Sequence, residues 1–80
     1  MKVRVLYFAV ARELAGTREE TIEVEGATLA DARRAIESLH PTLSATDTRL
    51  RVAKNEAFAA DTESIADGDV LALIPPVAGG

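Results

Sequence analysis

The stretch that decides the fold is Val70-Leu71-Ala72-Leu73-Ile74, which runs directly into Pro75-Pro76-Val77-Ala78-Gly79-Gly80. Five apolar residues in succession are typical of a strand that is buried in a sheet. Neither proline can donate a hydrogen bond to a neighbouring strand, so this strand ends at Ile74. We therefore expect a folded domain over residues 1–74 and a separate tail over residues 75–80.

The predicted tail begins with conformationally restricted residues and ends with residues that have no side chain. Pro75 and Pro76 favour an extended, polyproline-like arm, whereas Gly79 and Gly80 have no Cβ and fit where other residues would clash. Six extended residues reach about 20 Å. Because chain ends are often frayed, the pattern leaves two interpretations open. Either the end has no role, or it is a flexible arm that presents the carboxylate of Gly80 to a partner.

The other strongly apolar strand is expected at Lys2–Phe8, which alternates at first and then becomes wholly apolar. The two most apolar strands of a small sheet should lie side by side at its centre. They must then run parallel, because a long crossover joins them. A short helix over Phe8–Ala15 should follow the first strand, with Gly16 in the left-handed conformation that ends it.

The main helix is predicted from a stripe of apolar residues, Leu29, Ala32, Ile36 and Leu39. Thr28 and Asp31 resemble a capping pair at its start. Pro41 should end it, and a polar loop is expected over Thr42–Thr48.

The remaining elements are short. Strands are expected at Glu20–Glu25, Leu50–Lys54 and Ala57–Ala60, with turns at Asn55-Glu56 and Asp67-Gly68 and a buried loop residue at Ile65. One main helix on a small mixed sheet is typical of an α+β protein with the β-grasp, ubiquitin-like fold.

Composition excludes several classes of function. The chain has 80 residues, a net charge of −4 and no cysteine, so it is one domain without a disulfide, a thiolate nucleophile or a cysteine metal site. Its basic residues are scattered, and Arg33-Arg34 fits a solvated helix face, so we expect no nucleic-acid partner. No apolar run is long enough to cross a membrane, and the apolar N-terminus is too short for a signal peptide. We expect a cytoplasmic protein.

Motifs for catalysis are missing. The chain has no GxxxxGK[ST], GxGxxG or GxSxG sequence, and therefore no recognisable phosphate cradle or nucleophile elbow. His40 cannot form a metal site alone and fits a helix end, while Asp67 and Asp69 fit turn chemistry better than a metal site. We expect no bound cofactor, no metal and no enzymatic activity of the chain on its own. Another enzyme would have to activate the carboxylate of Gly80.

Along nearly its whole length, the chain resembles the small subunit of molybdopterin synthase, the MoaD family. The matching segments are Tyr7-Phe8-Ala9, Arg12-Glu13-Leu14-Ala15-Gly16-Thr17, Thr28-Leu29, Asp67-Gly68-Asp69-Val70 and the six residues Pro75–Gly80. The chain differs at Lys54, where an apolar residue is common, and at Asn55-Glu56, where the family often has Asn-Gly.

The resemblance implies a sulfur carrier. An adenylating enzyme of the MoeB type would use ATP to activate Gly80, and a sulfur-donating enzyme would supply the sulfur of a thiocarboxylate. The tail, including Pro75, Pro76, Val77, Ala78 and Gly79, would enter a large subunit of the MoaE type. There sulfur would pass to cyclic pyranopterin monophosphate. An apolar patch that includes Phe8, Leu73 and Ile74 is expected to contact the partner beside the tail.

Two other functions stay open from the sequence. A ThiS-type sulfur carrier for thiamine synthesis shares the fold and the Gly-Gly end, although such carriers typically lack the proline pair. A ubiquitin-like modifier would instead join Gly80 to lysines of target proteins.

Overall fold

The computed structural model describes residues 1–45 and 51–74. Within them, five strands form one sheet, with β1 at Lys2–Tyr7, β2 at Glu19–Glu23, β3 at Arg51–Lys54, β4 at Ala57–Phe58 and β5 at Val70–Ile74. Three helices occur in the same residues, α1 at Val10–Ala15, α2 at Leu29–Leu39 and α3 at Pro41–Ala45. The strand order is β2-β1-β5-β3-β4. The predicted β-grasp architecture is confirmed.

The two apolar end strands meet at the centre of the sheet, as the sequence predicted. β1 and β5 are parallel, with Val5 opposite Leu71 and Tyr7 opposite Leu73. All the other strand pairs are antiparallel. Because β1 and β5 run in the same direction, their carboxyl ends share one edge of the sheet. The backbone N–H of Phe8 donates to the carbonyl of Leu73 at 3.2 Å, which fixes the end of β5 beside the end of β1.

Helix α2 begins with the predicted cap. The Thr28 hydroxyl accepts a hydrogen bond from the Asp31 N–H, and the Asp31 carboxylate accepts one from the Thr28 N–H, which completes a capping box. Acceptance of backbone N–H groups, from Thr28 first and then Ala27, lowers the pKa of Asp31. Leu29, Ala32 and Ile36 are buried in the core against the sheet.

The prediction was wrong at the end of the stripe. Leu39 is 56% exposed, and Leu43 of α3 is buried in the same core instead. Pro41 ends α2 and also begins α3, where the loss of its N–H costs nothing because the first turn of a helix leaves that group unpaired. The first part of the expected polar loop is therefore helical, and residues 46–50 lie outside the described range.

The connections follow the expected turn chemistry. Asn55 and Glu56 have φ values of 49° and 74°, the two positive angles of the tight turn that best matches the twist of a hairpin. Gly16 ends α1 in the left-handed conformation with φ of 77°. Ile65 is buried in the core, as predicted. None of the helices in residues 1–45 and 51–74 is long and apolar enough to span a membrane.

Candidate functional site

The predicted reactive residues, Gly79 and Gly80, lie outside the described residues, as does the rest of the tail from Pro75 to Ala78. The division into a domain and a tail therefore stays a prediction. The structure does show where the tail begins. It leaves from Ile74, the last residue of β5, at the sheet edge where Phe8 follows β1.

An apolar groove covers the face of the sheet opposite α2. Leu6 pairs with Ala72, Ala72 pairs with Ala53, and Ala53 pairs with Phe58, so one apolar row crosses four strands. The groove has a volume of about 290 Å³ and is lined by Leu6, Phe8, Ala53, Glu56, Phe58, Val70, Ala72 and Ile74. We call it the outer groove.

Two aromatic side chains give the outer groove its exposed apolar surface. Phe8 is 47% exposed and Phe58 is 53% exposed. The guanidinium carbon of Arg51 lies 3.9 Å from the centre of the Phe58 ring, a cation–π contact, and Arg51 pairs with Ile74 across the strands. Exposed apolar patches with a polar rim mark interaction surfaces. This face is the best candidate for docking a partner beside the tail.

The structure corrects one member of the predicted patch. Leu73 is 2% exposed and belongs to the core, because alternate residues of β5 face α2, so its side chain cannot be part of an exposed patch. Phe8 and Ile74 do line the outer groove, and their contact with a partner stays a prediction. Sequence reasoning missed Phe58. Its signal was an aromatic residue two positions after a predicted hairpin turn, in a strand of only two residues.

A second cleft lies on the other side of Phe8. It has a volume of about 590 Å³ and is lined by Leu6, Tyr7, Phe8, Ala9, Arg12, Thr17, Arg18 and Glu19. We call it the arginine cleft. Ala9, the N-cap residue before α1, has φ of 50°, a conformation that a residue with a Cβ rarely adopts. Leu6 and Phe8 line both cavities, so the two surfaces are continuous. They meet near Phe8 and Ile74, where the tail leaves the domain, and we call this place the root of the tail.

Three polar side chains join the sheet to the end of α2 behind this root. The Tyr7 hydroxyl donates to Oε2 of Glu20 at 2.6 Å, and Nε2 of His40 lies 2.5 Å from the same oxygen. Burial, followed by the hydrogen bond to Glu20, raises the pKa of the Tyr7 hydroxyl well above its usual value. His40 also ends α2, as predicted, with its N–H donating to the Ile36 carbonyl. This cluster fixes the end of β1, directly before Phe8.

The acidic pair near Gly68 serves the turn. Asp67 accepts the N–H of Lys2 at 2.7 Å, and Asp69 accepts the N–H of Ala66 at 2.7 Å and the side chain of Asn55 at 3.1 Å. The hydrogen bonds from the Ala66 N–H, first, and from the Asn55 side chain lower the pKa of Asp69. No group of three or more His, Asp or Glu side chains with metal-binding geometry occurs in the two described ranges.

Comparison with known proteins gives a consistent match over nearly the whole chain. The ThiS family matches residues 5–80. A Chlamydomonas reinhardtii protein, "Molybdopterin synthase sulfur carrier subunit", is 40% identical, and the alignment covers 100% of both chains. A Haloferax volcanii protein, "Small archaeal modifier protein 1", is 39% identical over 91% of this chain and 94% of its own.

Solved structures agree with the sequence matches. A structure of H. volcanii small archaeal modifier protein 1 superposes with a TM-score of 0.84 at 35% identity, covering 95% of this chain and 98% of that chain. A complex of subunits 1 and 2 of the molybdopterin-converting factor from Helicobacter pylori contains a chain that superposes with a TM-score of 0.69 at 27% identity. That match covers 100% of both chains.

Proposed function

The chain belongs to the ThiS family, and on that basis we propose that it is the sulfur carrier subunit of a molybdopterin synthase. The observation that carries the proposal is the end-to-end match to the Chlamydomonas sulfur carrier subunit, since the alignment covers all of both chains. The resemblance to the MoaD family is confirmed at the level of the family. We further propose that the protein works in the cytoplasm.

The chemistry takes place at the carboxylate of Gly80. A carboxylate is a poor electrophile, so a separate adenylating enzyme would join it to AMP from ATP and release pyrophosphate. Hydrosulfide released by a donor enzyme would then attack the acyl carbon and displace AMP, which leaves a thiocarboxylate. In this proposal the chain has no activity of its own and supplies a mobile sulfur atom to the synthase.

The outer groove would dock the large synthase subunit. Ile74 and Phe8 lie together at the end of the groove, so a partner seated there would receive the tail directly. Phe8 and Phe58 are exposed aromatic side chains of the kind that anchor interfaces. The solved complex of the two Helicobacter subunits supports a partner of this kind.

Deletion of Gly80 tests the proposal. In a reaction with ATP, the adenylating enzyme, a sulfur source, the large subunit and the pterin precursor, the deletion variant is expected to form no molybdopterin. Its thermal unfolding should match that of the unaltered chain, because a terminal residue contributes little burial. An added residue after Gly80 should be as harmful, since it moves the carboxylate by about 3.5 Å. Normal product formation by either variant would refute the carrier role.

A second candidate function has its own support. The Haloferax modifier protein is 39% identical to this chain, close to the identity of the Chlamydomonas sulfur carrier. The same activated Gly80 could react with a lysine amine instead of sulfur, which would give an amide bond to a target protein. A covalent adduct with the mass of a second protein, formed in cells and lost on Gly80 deletion, would establish this function.

A further inference from the structure

Two arginines of the arginine cleft have no partner for their guanidinium groups within residues 1–45 and 51–74. Arg12 lies in the last turn of α1, and Arg18 directly precedes β2. Most other basic side chains in that part of the chain are engaged. Ion pairs or ring contacts hold Arg4 with Glu19, Arg33 with Asp61, Arg34 with Asp31, Lys54 with Glu63 and Arg51 with Phe58.

The carboxylate that lines the cleft is already paired. Glu19 lines it, but its Oε2 accepts two hydrogen bonds from Arg4, at 2.6 and 3.1 Å. Glu20 is held by Tyr7 and His40. In a chain of net charge −4, the cleft therefore keeps two uncompensated positive charges beside the root of the tail. Such local charge attracts an anionic group and accelerates its association.

We propose that Arg12 and Arg18 bind carboxylate side chains of the large synthase subunit when it seats on the outer groove. This inference rests on the proposed function and names the contact that orients that subunit. The cleft and the outer groove share Leu6 and Phe8, so one partner surface covers both. The two parallel N–H groups of a guanidinium match the two oxygens of a carboxylate. The contact therefore depends on the relative orientation of the two groups as well as on their charges.

The position of the cleft favours a protein carboxylate over a phosphate. Nucleotide and pterin react at Gly80, and the six residues after Ile74 can place that carboxylate about 20 Å from the root of the tail. The arginines lie at the root, where a partner that receives the tail would make contact. When the tail is extended, phosphate groups at the reacting end would be out of their reach.

The test measures binding of the large subunit to the full chain with both arginines reversed, Arg12→Glu and Arg18→Glu. We expect affinity to fall by at least about 10-fold at low ionic strength, mostly through slower association. The difference should shrink in high salt, which screens exposed charges. The control reverses Arg33 and Arg34 of α2, which lies on the face of the sheet opposite the outer groove. It changes net charge equally and should alter affinity less than about 2-fold.

The possible outcomes separate the inference from the proposed function. Equal affinity of the cleft variant and the α2 control, with unaltered thermal unfolding, would overturn the inference and leave the proposed function standing. Weaker binding of the cleft variant to the adenylating enzyme, with unchanged binding to the large subunit, would also overturn the inference. Failure of the unaltered chain to bind the large subunit would refute the proposed function itself. If charge reversal impairs folding, a double variant with Arg12→Gln and Arg18→Gln takes its place in the test. Its affinity for the large subunit should fall by a smaller factor than that of the double glutamate variant.

Discussion

Replacing Glu20 with glutamine is expected to lower the free energy of unfolding by about 2 kcal/mol at neutral pH. The Glu20 side chain is 28% exposed and one of its oxygens receives both Tyr7 and His40. A hydrogen bond to a charged group contributes about 1.5–3 kcal/mol, compared with about 1 kcal/mol for a neutral one. Glutamine keeps the shape but not the charge, so each of the two contacts should lose about 1 kcal/mol.

The loss should depend on pH with a definite sign. Burial alone would raise the pKa of Glu20, but the hydrogen bonds from Tyr7 and His40 and the charge of His40 outweigh it and lower the pKa below the usual 4.5. A carboxylate with a lowered folded-state pKa stabilises the fold above its unfolded pKa. That contribution disappears as the pH falls through the folded-state value. The gap between Glu20→Gln and the unaltered chain should therefore close in acid.

Urea unfolding followed by circular dichroism, at about pH 7 and again in acid below the usual glutamate pKa, measures both effects. Glu23→Gln is the matched control, because Glu23 is exposed on the same strand and its side chain has no partner in the described residues. Equal stability of the two variants at neutral pH would refute the reasoning. A gap that stays constant into acid would also contradict it, since the loss would then not come from the carboxylate charge.

Three further predictions test the core, the hairpin and the tail. Ile36→Ala should cost about 2–4 kcal/mol in urea unfolding, because Ile36 is 2% exposed, whereas exposed Leu39→Ala should cost less than about 0.5 kcal/mol. Glu56→Gly should stabilise by about 0.5 kcal/mol, because glycine adopts the positive φ of this turn without steric cost; a destabilised variant would contradict the turn assignment. Gly79→Val should slow molybdopterin formation without changing the melting temperature, and an unaffected rate would show that the tail needs no small residue there.

The fold could be predicted because burial leaves a periodic trace. The apolar runs of β1 and β5 and the stripe from Leu29 to Ile36 each report one buried face. Capping and turn residues, such as Thr28 and Gly16, then set the ends of the helices. The stripe failed at Leu39 because α3 supplies Leu43 to the same core, and only the packing of two helices decides that choice.

The candidate site was less accessible to sequence reasoning. The root of the tail followed from the parallel pairing of β1 and β5, and Phe8 and Ile74 were placed near it. The outer groove, however, needs Phe58 from a strand of two residues, and the arginine cleft combines α1 with the start of β2. The Tyr7–Glu20–His40 cluster joins two strands and a helix end. No local pattern in the sequence encodes contacts between such distant segments.

The central claim is that the carboxylate of Gly80 carries sulfur. The most direct measurement is the intact mass of the chain after incubation with ATP, the adenylating enzyme and a sulfur source. We predict a mass increase equal to the replacement of one oxygen by sulfur, located in the last residue by fragmentation and absent from the Gly80 deletion variant. An unchanged mass, or a sulfur atom located elsewhere in the chain, would contradict the claim.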